Sequence, residues 1–263
     1  MNRLDKRFDA LRKNGKKAVI LFVTAGDPDL PTTLDIIKAL AANGTDCIEL
    51  GIPFSDPIAD GPVIQQSTAR ALANHITFHE IWNLVEAFRK DYDTPIVLMG
   101  YLNPILRYGT DRFVRDCRRC GVDGLIIADL PYEEGEELEP ICREQDVHLI
   151  YLLAPEEMNA RTEKIVHATR GFLYLVSHYG TTGRQEHFQK NLKRIVRSIR
   201  TLTSLPVAIG FGISSIQQAR DAAEIADGVI VGSWLIRELE QSDTKTETAV
   251  QFVRRLRQAV DGG

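Results

Sequence analysis

The 263 residues carry 44% apolar and 26% charged side chains, enough for a large core beneath a soluble surface and without the bias of a disordered chain. A net charge of -4, with acidic and basic residues mixed along the chain, leaves no basic tract for nucleic acid, and no run of about 18 uncharged apolar residues offers a membrane span. Met1-Asn2-Arg3-Leu4-Asp5-Lys6-Arg7-Phe8 contains no apolar leader, so the expectation is a cytoplasmic protein with its four cysteines unpaired.

Residues 2 to about 14 read as an amphipathic helix ended by Asn14-Gly15. Ala18 to Thr24 is a continuous apolar run, the pattern of a strand covered on both faces, and Gly26-Asp27-Pro28-Asp29 breaks it. Leu30, Leu34, Ile37 and Ala41 then recur at helical spacing before a second strand, Cys47 to Leu50. Helices over about 62 to 73 and 77 to 90 precede a third strand at 95–101. Thr77-Phe78-His79-Glu80 has the form of a capping box, which starts a helix between His75 and His79 and argues against a zinc pair.

A helix over about 110 to 120 leads to a strand at 124–128; its Phe113, Cys117 and Cys120 share one apolar face, so the C-x-x-C spacing predicts core packing. An acid-opened helix over about 133 to 145 leads to a strand at 147–153, and a helix over about 159 to 169 leads to a strand at 172–177. After a polar loop, a basic helix over about 189 to 201 precedes the strand at 206–210, and a short helix over about 215 to 223 precedes the strand at 228–232. Eight strands alternating with helices predict one (β/α)8 TIM-barrel domain over 1–263, with an extra N-terminal helix and extra helices after the second and eighth strands.

In such a barrel the chemistry lies at the C-terminal strand ends. Glu49 stands there, and a carboxylate at the end of a buried strand is costly unless something uses it. Asp60 ends the proline-rich loop that follows, just before a helix opening at Pro62, so both carboxylates face one opening. The plain alternative is that Glu49 pairs with an Arg and Asp60 caps the helix. Gly180-Thr181-Thr182-Gly183, Gly210-Phe211-Gly212 and Gly232-Ser233 follow the last three strands, and together could offer backbone N–H groups to one phosphate. Between the two sides should lie Phe22, Ile64, Met99, Ile126, Tyr174 and Phe211, walls suited to a phosphorylated substrate with a flat apolar part. No strand-end lysine stands ready for a Schiff base and no metal-ligand cluster is visible, so catalysis falls to carboxylates, with Tyr174 as a possible hydroxyl aid.

The run Glu49 to Gln65, ELGIPFSDPIADGPVIQ, resembles the signature of the tryptophan synthase alpha chain family, as do Phe22 to Pro28, Met99-Gly100-Tyr101-Leu102-Asn103-Pro104, Ala128-Asp129-Leu130-Pro131 and Gly210-Phe211-Gly212-Ile213. The resemblance covers essentially the whole chain. It implies a TIM barrel that cleaves indole-3-glycerol phosphate by a retro-aldol reaction into indole and glyceraldehyde 3-phosphate. It also implies a beta-chain partner that carries pyridoxal phosphate, in an alpha-beta-beta-alpha tetramer, with no cofactor in this chain.

By the same resemblance Glu49 is the acid-base group and Asp60 accepts the indole N–H. Gly183, Gly210, Gly212, Gly232 and Ser233 match the phosphate contacts, and the loop over about 178 to 188, including Thr182, Gly183 and Arg184, matches a lid. Pro53, Asp56, Pro57, Asn103 and Pro104 match the surface that meets the beta chain. Two positions depart from the family pattern: His178 stands where Arg is commoner, and Trp234 where a small residue is usual. Trp234 should pack against the outer layer of the barrel. The indoleglycerol-phosphate synthase alternative is disfavoured because its strand-end lysines are missing, and a purely regulatory barrel because Glu49 and Asp60 are both in place.

Overall fold

The computed structural model describes residues 1–154, 159–177, 185–210 and 212–262. In chain order its elements are α1 Arg3–Lys13, β1 Ala18–Thr24, α2 Leu30–Ala42, β2 Cys47–Gly51, α3 Pro62–Ala73, α4 Phe78–Arg89, β3 Ile96–Gly100, α5 Leu102–Tyr108, α6 Thr110–Cys120 and β4 Gly124–Ile127. A 3₁₀ segment, Tyr132–Glu137, precedes α7 Leu138–Glu144, β5 His148–Leu149, β6 Leu152–Leu153, α8 Ala160–Ala168 and β7 Leu173–Val176. Then follow α9 Gln185–Leu202, β8 Val207–Gly210, α10 Ile216–Ile225, β9 Gly228–Val231, α11 Ser233–Glu240 and α12 Lys245–Asp261.

All strand pairs are parallel, and the sheet runs β5-β4-β3-β2-β1-β9-β8-β7-β6. Its two ends, β5 and β6, are consecutive pieces of one extended segment. The single strand expected at 147–153 is therefore split at Ile150-Tyr151, because its first half bonds to β4 and its second half to β7. That exchange of neighbours closes the eight-staved barrel.

Strand alternation sorts the apolar side chains into two layers. Val19, Leu21, Val23, Ile48, Leu50, Leu98 and Leu125 point outward into the cluster packed beneath the helices. Ala18, Ile20, Phe22, Cys47, Val97, Met99, Ile126, Phe172, Tyr174, Ala208 and Ile230 point inward. Helix α1 plugs the N-terminal mouth: Leu4, Phe8 and Leu11 join the inward cluster, and Phe8 lies 5.6 Å from Phe172, centroid to centroid. Deleting the Phe8 ring should cost about 3–5 kcal/mol, the usual loss for a fully packed aromatic. Closing one end this way leaves the other end for a ligand.

Several local expectations hold. Thr77 and Glu80 form the capping box, Cys117 and Cys120 are buried in the outer layer, and Trp234 packs against Phe252 at 4.8 Å in that same layer. Others need correction. The helix expected over 133–145 begins as the 3₁₀ turn, since a side chain at Gly135 would collide with the Tyr151 hydroxyl and the segment is shaped around that ring. Helix α5 was not anticipated, although Pro104 is compatible with it: proline in a first turn removes an N–H that has no intrahelical partner. Helix α9 begins at Gln185, earlier than the expected 189.

Candidate active site

The open mouth of the barrel holds a cavity of about 250 Å³ lined by Phe22, Glu49, Asp60, Gly61, Pro62, Val63, Ile64, Met99, Tyr174, Gly212, Ile213, Ile230, Gly232 and Ser233. Register explains the first wall. Phe22 of β1 pairs with Glu49 of β2, and Gly51 pairs with Met99 of β3, so these side chains emerge on the inward face at neighbouring heights. Gly51 is required for this arrangement, because a Cβ there would come within 2.5 Å of the Phe22 ring. Gly210 serves Tyr174 in the same way: its Cβ would fall 2.5 Å from the tyrosine hydroxyl.

Glu49 is 1% exposed, and its Oε2 is a buried oxygen with no hydrogen-bond partner. Burial, followed by the nearby charge of Asp60, pushes its carboxyl up to about 8. It is therefore a neutral acid at neutral pH. Among the described residues no arginine forms the salt bridge that would have made Glu49 structural.

Asp60 has a different environment. Helix α3 is capped at Gly61 without any side-chain hydrogen bond, so Asp60 does not cap it. Its Oδ2 instead accepts a hydrogen bond from the Tyr101 hydroxyl at 3.0 Å, and that hydroxyl accepts one from the Ala59 N–H at 3.1 Å. Burial raises the Asp60 carboxyl, and the Tyr101 hydrogen bond opposes the rise. Sequence reasoning had singled out Tyr174 and not Tyr101. The available signal was an aromatic hydroxyl one residue past a strand end, Met99-Gly100-Tyr101, at the face where chemistry belongs.

On the opposite wall, α11 begins at Ser233 with Gly232 as its N-cap, and no side chain caps it. Its free N–H groups and positive helix end therefore border the cavity. Gly212 has φ +83°, a backbone conformation that L side chains rarely adopt, and its turn completes this wall. Of the other expected site residues, Gly210 sits behind Tyr174 and does not line the cavity, while Ile126 lies in the inward cluster at 1% exposure. Phe211, Thr182, Gly183, Arg184 and His178 fall outside the described residues.

At the rim, Asp56 and Asn103 are exposed, Pro57 and Pro104 are half-buried, and Pro53 is buried. Two large apolar residues stand out beside them: Ile58 is 81% exposed and Leu106 is 53% exposed. Among the described residues no His, Cys, Asp and Glu cluster has the arrangement of a metal site, and no helix is long and apolar enough to cross a membrane.

This arrangement of two unlike carboxylates, an apolar slot and a helix N-terminus on a barrel mouth agrees with comparison to known proteins. The profile of the tryptophan synthase alpha chain family matches residues 8–261. The chain belongs to the tryptophan synthase alpha chain family. It is 44% identical over 263 residues to the tryptophan synthase alpha chain of Caldanaerobacter subterraneus subsp. tengcongensis, covering 99% of this chain and all of that one. The alpha chain of Geotalea daltonii is 47% identical over 245 residues, 93% of each chain. Among solved structures, the alpha subunit from Legionella pneumophila str. Paris superposes with a TM-score of 0.92 at 38% identity over the full length of both chains. Ligand-free tryptophan synthase from M. tuberculosis superposes with a TM-score of 0.89 at 33% identity, covering 99% of this chain. A tryptophan synthase alpha chain is a lyase of tryptophan biosynthesis that cleaves indole-3-glycerol phosphate, and membership implies a beta-chain partner.

Proposed function

We propose that Glu49 and Asp60 divide the work of this cleavage, Glu49 moving protons and Asp60 stabilising charge. The observation that carries the reading is Glu49 itself: a buried carboxyl at the cavity whose Oε2 has no hydrogen-bond partner among the described residues, and which burial pushes up to about 8. As an acid it protonates indole C3, which turns the ring into a cationic electron sink. Asp60, as a carboxylate, accepts the indole N–H and stabilises the positive charge that develops there. The newly formed Glu49 carboxylate then takes the proton of the hydroxyl on the glycerol carbon that is bonded to indole C3. The carbon-carbon bond breaks, its electrons restore the indole ring, and the alkoxide carbon becomes the aldehyde of glyceraldehyde 3-phosphate. Glu49 ends the cycle protonated, as it began.

Phe22, Ile64, Met99 and Tyr174 supply the apolar slot for the flat ring. Gly212, Gly232 and Ser233, with the N-terminus of α11, supply N–H donors for the phosphate. No cofactor is needed for these steps, and pyridoxal phosphate belongs to the beta chain of a cytoplasmic alpha-beta-beta-alpha assembly. Exposed Ile58 and Leu106, flanked by Asp56 and Asn103, are the surface we assign to that partner, since apolar side chains so exposed at a rim fit a covered interface.

The test is indole release from indole-3-glycerol phosphate by the purified chain, alone and with its cognate beta chain. Cleavage that is slow alone, faster with the partner and lost in Glu49→Gln with substrate binding retained is the expected result. Loss of binding with unchanged cleavage per bound substrate would remove Glu49 from the role of proton carrier.

A further inference from the structure

We propose that Tyr101 is the positioning residue for Asp60: its hydroxyl fixes the carboxylate at the cavity wall and holds it in the ionised, hydrogen-bond-accepting form. The inference rests on the reading of Asp60 given above.

The geometry leaves the Tyr101 hydroxyl one role. A phenol has a single proton. Its oxygen already accepts from the Ala59 N–H at 3.1 Å, and its proton points to Asp60 Oδ2 at 3.0 Å. One hydroxyl thereby clips two consecutive residues of the loop between β2 and α3 to the end of β3. The ring is itself fixed. Tyr101 is 4% exposed and lies 5.5 Å from Phe54 of the same loop, centroid to centroid. Its backbone is held between the β3 ladder and the Leu102 N–H, which donates to Asp129 Oδ1 at 2.8 Å.

No other side chain shares the task. Among the described residues Tyr101 is the one side chain that hydrogen-bonds the Asp60 carboxylate, and no Lys, Arg or His lines the cavity to pair with it. Among the described residues the titratable groups facing it are Glu49 from β2, Tyr174 from β7 and Tyr101 from the end of β3. Of these, Tyr101 alone favours the ionised form, because it donates to it. Without that donor, burial acts unopposed and Asp60 binds a proton more readily. A protonated Asp60 has lost the charge that stabilises the cationic ring.

Tyr101→Phe removes the hydroxyl and keeps the ring against Phe54. The experiment measures kcat/KM for indole release across pH for the unaltered chain, Tyr101→Phe and Asp60→Asn, each with the beta chain. Tyr101→Phe should lose roughly tenfold at about pH 6 and recover most of that loss near about pH 8, as the acid limb moves to higher pH. A loss of equal size at every pH assigns Tyr101 to packing alone and overturns the proposal, as does a profile that superimposes on that of the unaltered chain while Asp60→Asn is impaired. Full activity in Asp60→Asn would instead remove Asp60 from the mechanism, and this inference with it.

Discussion

Glu49 and Asp60 line one cavity from the two ends of a single loop, yet among the described residues Asp60 is hydrogen-bonded through its Oδ2 while Glu49 Oε2 has no partner. That asymmetry lets neighbouring carboxyls differ in protonation at one pH. Glu49 keeps its proton up to about 8, so kcat/KM for indole release should fall as pH rises through that value. A pH profile with no alkaline limb in this region would count against Glu49 entering the reaction as an acid.

The same raised carboxyl affects stability. The folded chain binds the Glu49 proton more tightly than the unfolded chain, whose Glu titrates near the ordinary value of 4.5. The stabilisation is complete below that value, and is lost as pH rises toward about 8. Glu49→Gln, which stays neutral, should therefore exceed the unaltered chain in stability at about pH 9 by on the order of 3 kcal/mol, with little difference at about pH 5. Urea unfolding of both proteins at the two pH values measures this, and equal differences at both would contradict it.

Gly51 and Phe22 supply a steric prediction. A methyl added in Gly51→Ala would stand 2.5 Å from Phe22 Cζ, at the base of the apolar slot. The ring must tilt, at about 1–3 kcal/mol of overpacking. KM for indole-3-glycerol phosphate should rise more than kcat falls if the slot binds the ring, as proposed, and does not transfer protons. Steady-state kinetics decide it; an unchanged KM would show that the ring does not meet Phe22.

At the far wall, Ser233→Asp places a negative charge on the first residue of α11, where the phosphate is assigned. Affinity for glycerol phosphate should fall roughly tenfold or more, while indole alone binds as before. Calorimetric titration with each ligand separates the two, and an equal loss for both would indicate general damage to the cavity.

Much of this was legible in the sequence because it depends on local patterns. Continuous apolar runs marked the strands, and their C-terminal ends placed Phe22, Glu49 and Met99 at the mouth of the barrel. Glu49 was legible as a charge at a position that otherwise requires burial. What escaped depends on contacts distant in sequence. Nothing local to 147–153 says that its two halves bond to different neighbours, and nothing near Gly135 announces the Tyr151 ring. Tyr101 escaped for the same reason, since its importance lies in the Ala59 N–H and the Asp60 carboxylate it holds, far back along the chain.

The cavity also depends on a clamp outside it, which yields the last prediction. Arg70, on α3, makes a two-pronged salt bridge to Asp27 at 2.8 and 2.9 Å, and reaches Glu240 on α11 at 2.6 Å. The Ser67 hydroxyl joins the same carboxylate and Thr24 at the end of β1. Helices α3 and α11 begin at the two walls of the cavity, beside Asp60 and at Ser233, so one guanidinium ties together the elements that set its width. Asp27 is 9% exposed, and removing its cation leaves a nearly buried charge unpaired. Arg70→Met should cost about 3 kcal/mol in urea unfolding and raise KM for indole-3-glycerol phosphate. Arg70→Lys should recover only part of both, because an ammonium cannot match the two carboxylate oxygens and Glu240 at once. Full recovery by lysine would show that charge alone holds the two helices in place.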